Sequence, residues 1–482
     1  MYRKKLLKEG LVYALQPFLE RGVAFLLIPI YTAYLSPSSF GKWQLIYSIS
    51  FFILPLMNAG IDSACWQFWG RSDKYSVEHV LFNACLAKLT TGIIVLLGFV
   101  IPILLVVNFE FRLEFSIYIV SAFLFSYFQI FQQYLRAKNF SGTYLSLALS
   151  YGAILGGLNI VGVTMLLLDF RGIIFGNVFA NIVAFVCVLL IAKRTNTTTM
   201  KMDLLLIKAM LGFGFPLIFG NISYVFISQS DRFFLKTFSS EFEIGLYSFG
   251  SQFAMLISVF IISPLFSWWN PILRWKIYNR PDGREIFSRL NRLIVVALPL
   301  FTLMIIGGII FVGKYLVRNE AYLAGFGITP LLAFGQTFYG LYYFNSVALL
   351  FENRTKTVSG IVFSSAFFNI LLNAILVPRM AMYGAALASF LSFFLMYILS
   401  LFFSQKAYRI QRSLSLEVTM IVLSASIAFG STISVSQGWL RPQNIDIIFL
   451  LPGIILTIAM GIANRKELKL LISLVKPENN RC

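Results

Sequence analysis

Two basic side chains stand where a hydrocarbon interior would make them costly. Arg21 falls about ten residues into the apolar run 11–34, and Lys88 about eight into the run 80–107. At 1.5 Å of rise per helical residue, these positions lie about 15 Å and about 12 Å deep. An intramembrane cation defaults to a functional reading, because a partner must offset its cost. Glu20 cannot neutralise Arg21 along one helix, since adjacent residues point in different directions. The partner must come from another helix or from an anion; an interhelical ion pair or a snorkelling side chain is the plain alternative. Asp62, Asp231 and Arg232 lie nearer the ends of their runs. They read as interfacial groups, with a coupling or ion-pair role as the other option.

Polar residues also recur at helical spacing. Gln129, Gln132, Gln133 and Arg136 follow i, i+3, i+4 and i+7, one polar stripe on an otherwise apolar helix. In the second half of the chain, Gln336, Tyr339 and Tyr343 repeat i, i+3 and i+7. Asn177 pairs with Asn181, and Asn369 with Asn373, at i, i+4. Amides and tyrosines can hydrogen-bond and stack against sugars, but amides also join membrane helices to one another. For any single Asn or Gln packing is the stronger reading. Four polar positions on one helix exceed what a single contact needs.

The elements that position these groups follow from composition. The chain has 482 residues, 58% hydrophobic and 12% charged, with mean hydropathy +0.80. A soluble chain carries roughly 25% charged residues. Each membrane-spanning helix needs about 20 apolar residues. Fourteen runs qualify: 11–34, 43–69, 80–107, 115–134, 144–168, 173–192, 204–235, 244–269, 293–312, 324–351, 357–377, 382–403, 416–435 and 447–463. The expectation is an all-α polytopic membrane protein with fourteen transmembrane helices.

Net charge is +19, yet nucleic acid is excluded as a partner, because the bases sit in short tethers between apolar runs. Of 39 Lys and Arg residues, 28 fall in one alternating set of tethers and 8 in the other. The positive-inside rule then places both termini in the cytoplasm. The basic start of the chain resembles an export signal, but Pro17, Glu20 and Arg21 interrupt the run and no small-residue cleavage site follows. It reads as a retained first helix.

Two segments repeat. Tyr34-Leu-Ser-Pro-Ser-Ser-Phe-Gly-Lys-Trp43 joins spans 1 and 2, and Phe238-Ser-Ser-Glu-Phe-Glu-Ile-Gly-Leu-Tyr247 joins spans 7 and 8. Trp66 and Trp69 close span 2 as Trp268 and Trp269 close span 8. The shared order predicts two six-helix lobes in parallel repeat, 1–200 and 201–405, with two further helices and a tail in 406–482.

Catalytic chemistry is scarce. His79 is the only histidine and lies in a basic tether. The four cysteines show no metal-ligand spacing, and no phosphate-binding loop, G-x-S-x-G or H-E-x-x-H motif occurs. No cofactor, no metal and no enzymatic activity are expected.

Pro29-Ile-Tyr31-Thr…Leu35-Ser…Phe40-Gly41, with Ser228-Gln-Ser-Asp231-Arg232-Phe-Phe-Leu…Ile244-Gly245-Leu-Tyr247-Ser, resembles the polysaccharide-specific transporters, the Wzx-type oligosaccharide flippases. Their superfamily also holds lipid II flippases and multidrug and toxin extrusion carriers. The resemblance implies alternating access in the bacterial plasma membrane. The implied cargo is an undecaprenyl-pyrophosphate-linked oligosaccharide moved from inner to outer leaflet for O-antigen, capsule or exopolysaccharide assembly. Membrane lipids are further partners, and the polysaccharide polymerase and chain-length machinery are candidate ones. Arg21 and Lys88 would then meet the pyrophosphate, and the stripes the glycan, through charge-assisted and neutral hydrogen bonds. A drug/cation antiporter should prefer a deep carboxylate, for which Glu20 is the candidate. A membrane enzyme of glycan assembly should carry a large loop with catalytic groups, which this chain lacks.

Overall fold

In the computed structural model, residues 25–69, 75–102, 110–194, 201–268, 277–352, 354–412 and 414–463 are described. Arg21 and Glu20 lie outside them. Sixteen α-helices occur among the described residues, and ten helices there are long and apolar enough to cross a membrane. The chain is an all-helical polytopic membrane protein. It divides into two compact units, Met1–Gly245 and Leu246–Cys482.

The first unit holds α1 (Ile28–Tyr34), α2 (Pro37–Asn58), α3 (Ile61–Trp69), α4 (Val77–Val95), α5 (Arg112–Ala137), α6 (Ser141–Ile160), α7 (Phe170–Arg194), α8 (Leu204–Gln229) and α9 (Asp231–Phe238). It ends in the first residues of α10 (Glu241–Ile257). Polar residues start α2, α4 and α8 by satisfying orphan amides. Ser36 accepts from the Ser39 amide at 3.1 Å, Ser76 from His79 at 3.2 Å and Asp203 from Leu206 at 2.9 Å. The turn between α2 and α3 requires glycine twice over. Gly60 has φ +68°, and a Cβ there would meet the Gly214 carbonyl of α8 at 2.2 Å. A Cβ on Gly214 would in turn meet the Ala59 carbonyl at 2.5 Å. This close approach breaks the span predicted over 43–69 and sets the direction of α3, which carries Asp62 and Trp66.

The two repeated motifs meet each other. A Cβ on Gly41 would touch the Glu241 carbonyl at 2.0 Å, and one on Gly245 the Pro37 carbonyl at 1.9 Å. Each glycine thus faces the carbonyl four residues before the other, a reciprocal backbone crossing. Glu241 ties the same end by accepting from Lys236 at 2.6 Å and by facing the Lys42 ammonium as an ion pair at 3.6 Å.

The second unit continues α10 and adds α11 (Ser263–Trp268), α12 (Gly283–Leu316), α13 (Thr329–Phe351), α14 (Thr355–Ala407), α15 (Leu414–Ser436) and α16 (Ile445–Ala463). α14 breaks at Ala381, where φ is 45° and ψ −125°. A Cβ on Gly384 would reach the Leu376 carbonyl at 2.4 Å, so the chain folds back there. The runs predicted as spans 357–377 and 382–403 therefore stand as two helices joined directly at Ala381, without an intervening loop. α16 packs on α12 through Gly307 and Gly453, whose added Cβ atoms would meet Leu450 and Met304 backbone. Lys314 and Asp446 join the same pair at 2.6 Å.

Candidate functional site

Lys88 of α4 is fully buried. Its Nζ lies 2.7 Å from Asp62 Oδ1 of α3 and donates to the Ser126 carbonyl of α5 at 3.1 Å. Two residues singled out separately in the sequence thus form one interhelical ion pair, joined by a backbone oxygen that spacing gave no reason to notice. The pair is asymmetric. Lys88 is closed off, while the Asp62 side chain is 28% exposed. Taking one partner from a buried pair leaves an uncompensated charge at a cost of about 3–5 kcal/mol.

The Asp62 side of α3 is open. Ser63, Trp66 and Gln67 are exposed on it, Trp66 at 45%. The Arg136 guanidinium of α5 lies over the Trp66 ring at 5.8 Å, and the Trp69 ring meets Trp66 edge-on at 5.3 Å. The α5 stripe splits accordingly. Gln132 turns into the protein, whereas Gln129 and Arg136 are exposed and Gln133 is half-buried. One surface of the first unit therefore presents Asp62, Ser63, Trp66 and Gln67 with Arg136, and Gln129 is exposed on the same face of α5 two turns earlier.

The exposed faces of α4 and α7 differ in kind. α4 exposes Leu89, Ile93 and Ile94, and α7 exposes Phe179, Val186 and Leu190, as a lipid-facing helix should. Polar side chains left exposed on membrane helices belong against water or against a polar ligand.

Several of the other candidates make contacts within the protein. Gln336 is buried and accepts from Ser258 Oγ at 2.8 Å. Ser258 opens a π-helical turn over Ser258–Ile262. Tyr339 and Tyr343 are half-buried, with the Tyr339 ring 5.8 Å from Phe393 and 6.0 Å from Tyr342. Asn181 accepts from Tyr151 at 2.9 Å, and Asn373 donates to Asn369 at 3.1 Å. Asp231 and Arg232 are both buried, and Arg232 donates to the Ser228 carbonyl at 2.9 Å.

At the far end of α4, Asn83 accepts from the Asp203 amide at 2.7 Å, and His79 stands 3.6 Å from the Asp203 carboxylate. The Leu206 amide first, and His79 beside it, hold the Asp203 carboxyl below the usual carboxylate range. The second unit has a polar cluster of its own. Glu417 accepts from Asn291 at 2.8 Å and faces Arg412 at 3.6 Å, while Arg412 donates to Asn345 at 2.9 Å. The one signal for it in the sequence is an acid placed in the first turn of an apolar run, just after a basic tether. Among the described residues no group of three or more His, Cys, Asp or Glu side chains is placed to hold a metal ion.

Comparison with known proteins agrees with this architecture. A membrane protein of Haemophilus influenzae, described only as uncharacterized, is 26% identical over 379 residues, covering 73% of this chain and 86% of its own length. Among solved structures, the lipid II flippase MurJ in an inward closed conformation superposes with a TM-score of 0.68 at 16% identity, covering 95% of this chain and all of that one. A mutant of the Vibrio cholerae MATE transporter VcmN gives 0.55 at 13% identity, covering 84% and 97%. At such identities the likeness is one of fold. Residues 6–274, more than half of the chain, match the family described as polysaccharide biosynthesis protein, so the chain belongs to that family.

Proposed function

We propose that this chain is a flippase for undecaprenyl-pyrophosphate-linked oligosaccharide, moving it from the inner to the outer leaflet of the bacterial plasma membrane by alternating access. In this reading fourteen spans form two six-helix lobes, 1–200 and 201–405, followed by two further helices and a tail, with both termini in the cytoplasm. The observation that carries it is the exposed polar surface of α3 and α5, where charged, amide and indole side chains stand together, in contrast to the aliphatic and aromatic faces that α4 and α7 expose. An anionic, many-hydroxyl cargo needs such a surface; a drug or a lipid tail does not.

Arg21 and Lys88 hold the pyrophosphate in this proposal. Lys88 does so by exchange: the half-open Asp62 carboxylate gives way to an arriving phosphate, which offers the same ammonium more negative charge. Gln129, Gln133 and Arg136 meet the glycan. Gln132, Gln336, Tyr339 and Tyr343 support the helices that move, and Glu20, Asp62, Asp231 and Arg232 exchange ion-pair partners as they do. The glycine crossing of Gly41 and Gly245 joins α2 to the start of α10 where the two repeated motifs meet. Membrane lipids surround the polyprenyl tail, and polymerase and chain-length machinery receive the cargo. No bond is made or broken.

A drug/cation antiporter is the second reading, favoured by the MATE-like fold. It needs a carboxylate available to a cation, and Asp62 already faces a buried lysine. Depletion of the protein decides between them. The flippase reading expects lipid-linked repeat units to accumulate facing the cytoplasm while surface polysaccharide falls. Normal polysaccharide in a strain without a substitute carrier, together with lost dye efflux, would favour the antiporter.

A further inference from the structure

We propose that Trp66 is the stacking platform for the first sugar of the cargo, the one attached to the pyrophosphate. The inference rests on the flippase reading and deepens it. Trp66 occupies the position an interfacial tryptophan would take at the end of an apolar run, and that ordinary role predicts an apolar surrounding with the indole NH toward headgroups. Its surroundings are polar instead. Asp62 and Ser63 precede it on the open side of α3, Gln67 follows, and Arg136 lies across its ring. Trp69, one turn on, is the buried member of the pair and donates its indole NH to the Val77 carbonyl at 3.2 Å. Anchoring this end of α3 therefore falls to Trp69, which leaves the Trp66 ring available.

Register supplies the second argument. Asp62 and Trp66 are four residues apart, so they share one face of α3 about 6 Å apart along its axis. A phosphate that replaces Asp62 on Lys88 brings the next group of the cargo level with the Trp66 ring. A sugar ring offers an apolar C–H face to the electron-rich face of an indole and keeps its hydroxyls at the rim. Gln67, the next residue on the open side of α3, is an exposed amide that can meet those hydroxyls. Arg136 stands 5.8 Å from the ring centroid, the outer limit of a cation–π contact, so a sugar can displace it. The displaced guanidinium then donates to the hydroxyls at the rim of the sugar.

The test separates sugar from headgroup. Equilibrium binding is measured on the full chain in nanodiscs with two probes, undecaprenyl pyrophosphate and the same lipid carrying one N-acetylglucosamine. The wild type should bind the sugar-bearing lipid about tenfold more tightly than the bare one, a gain of the size aromatic stacking supplies. Trp66→Leu should reduce that gain below about twofold and leave affinity for the bare lipid within about twofold, while Trp66→Phe recovers most of the gain. A gain unchanged in Trp66→Leu, no gain in the wild type, or equal loss of both probes would each overturn the platform. If the wild type bound neither lipid, the flippase reading itself would fall and take the platform with it.

Discussion

The polar stripes on α5 and α13 look alike in sequence and end differently. On α5, Gln129 and Arg136 stay exposed, Arg136 over the Trp66 ring of α3. On α13, Gln336 is held by Ser258, and Tyr339 packs between Phe393 and Tyr342. Helical spacing establishes that residues share a face; the neighbouring helix decides what that face meets. α13 has aromatic neighbours large enough to cover its stripe. α5 has the short helix α3, turned by Gly60 so that a polar side faces out. One stripe is left exposed along α5, and the other is largely covered within the second unit.

The largest expected effect is at the ion pair beside the open stripe. Asp62→Ala should destabilise the protein by about 3–5 kcal/mol, because Lys88 is left charged and buried. The combined Asp62→Leu and Lys88→Met variant should recover most of that stability and transport poorly. Thermal unfolding in detergent, run beside a vesicle flip assay, reads both. A stable Asp62→Ala protein would show that Lys88 has another neutralising partner.

Single amide substitutions sharpen the contrast itself. Gln336→Leu should cost about 1–2 kcal/mol of stability by stranding the Ser258 hydroxyl, with transport per folded molecule near wild type. Gln129→Leu should leave stability within about 0.5 kcal/mol and lower transport severalfold. The reverse pattern would exchange the roles of the two stripes.

The smallest effect belongs to the far end of α4. The Asp203 carboxyl has a folded pKa below its unfolded value, held there by the Leu206 amide and by His79. Its contribution is therefore present above the unfolded pKa of about 3.9 and is lost as pH falls through the lower folded value. Asp203→Asn keeps a side-chain oxygen for the cap but removes the charge. Its melting temperature should lie slightly below wild type near neutral pH and converge with it in acid. A constant offset across that range would remove charge from the explanation.

The all-helical, many-span character was legible because apolar run length is read directly from the residues. Recurrence of the Phe40-Gly41 and Ile244-Gly245 motifs was legible too. Their reciprocal contact was not, since a sequence repeat carries no information about whether its copies touch. The break before α3 was hidden because Gly60 lies inside an unbroken apolar run, and only its contact with Gly214 reveals it. Lys88 and Asp62 were each visible as misplaced charges. Their pairing depends on α3, α4 and α5 converging, a tertiary fact. Trp66 read as an interface anchor because its type and position suit one, and only the polar company of its side of α3 separates it from Trp69. Glu417 and Arg412 stood too close to a basic tether to look buried.

Cysteine labelling tests most directly whether the α5 stripe faces water. In a background with Cys65, Cys85, Cys187 and Cys482 replaced by serine, Gln129→Cys should react with a membrane-impermeant maleimide applied from the cytoplasmic side. Gln336→Cys should stay unreactive until the protein is denatured. An inert Gln129→Cys beside a reactive Gln336→Cys would contradict the open polar surface on which the proposed transport depends.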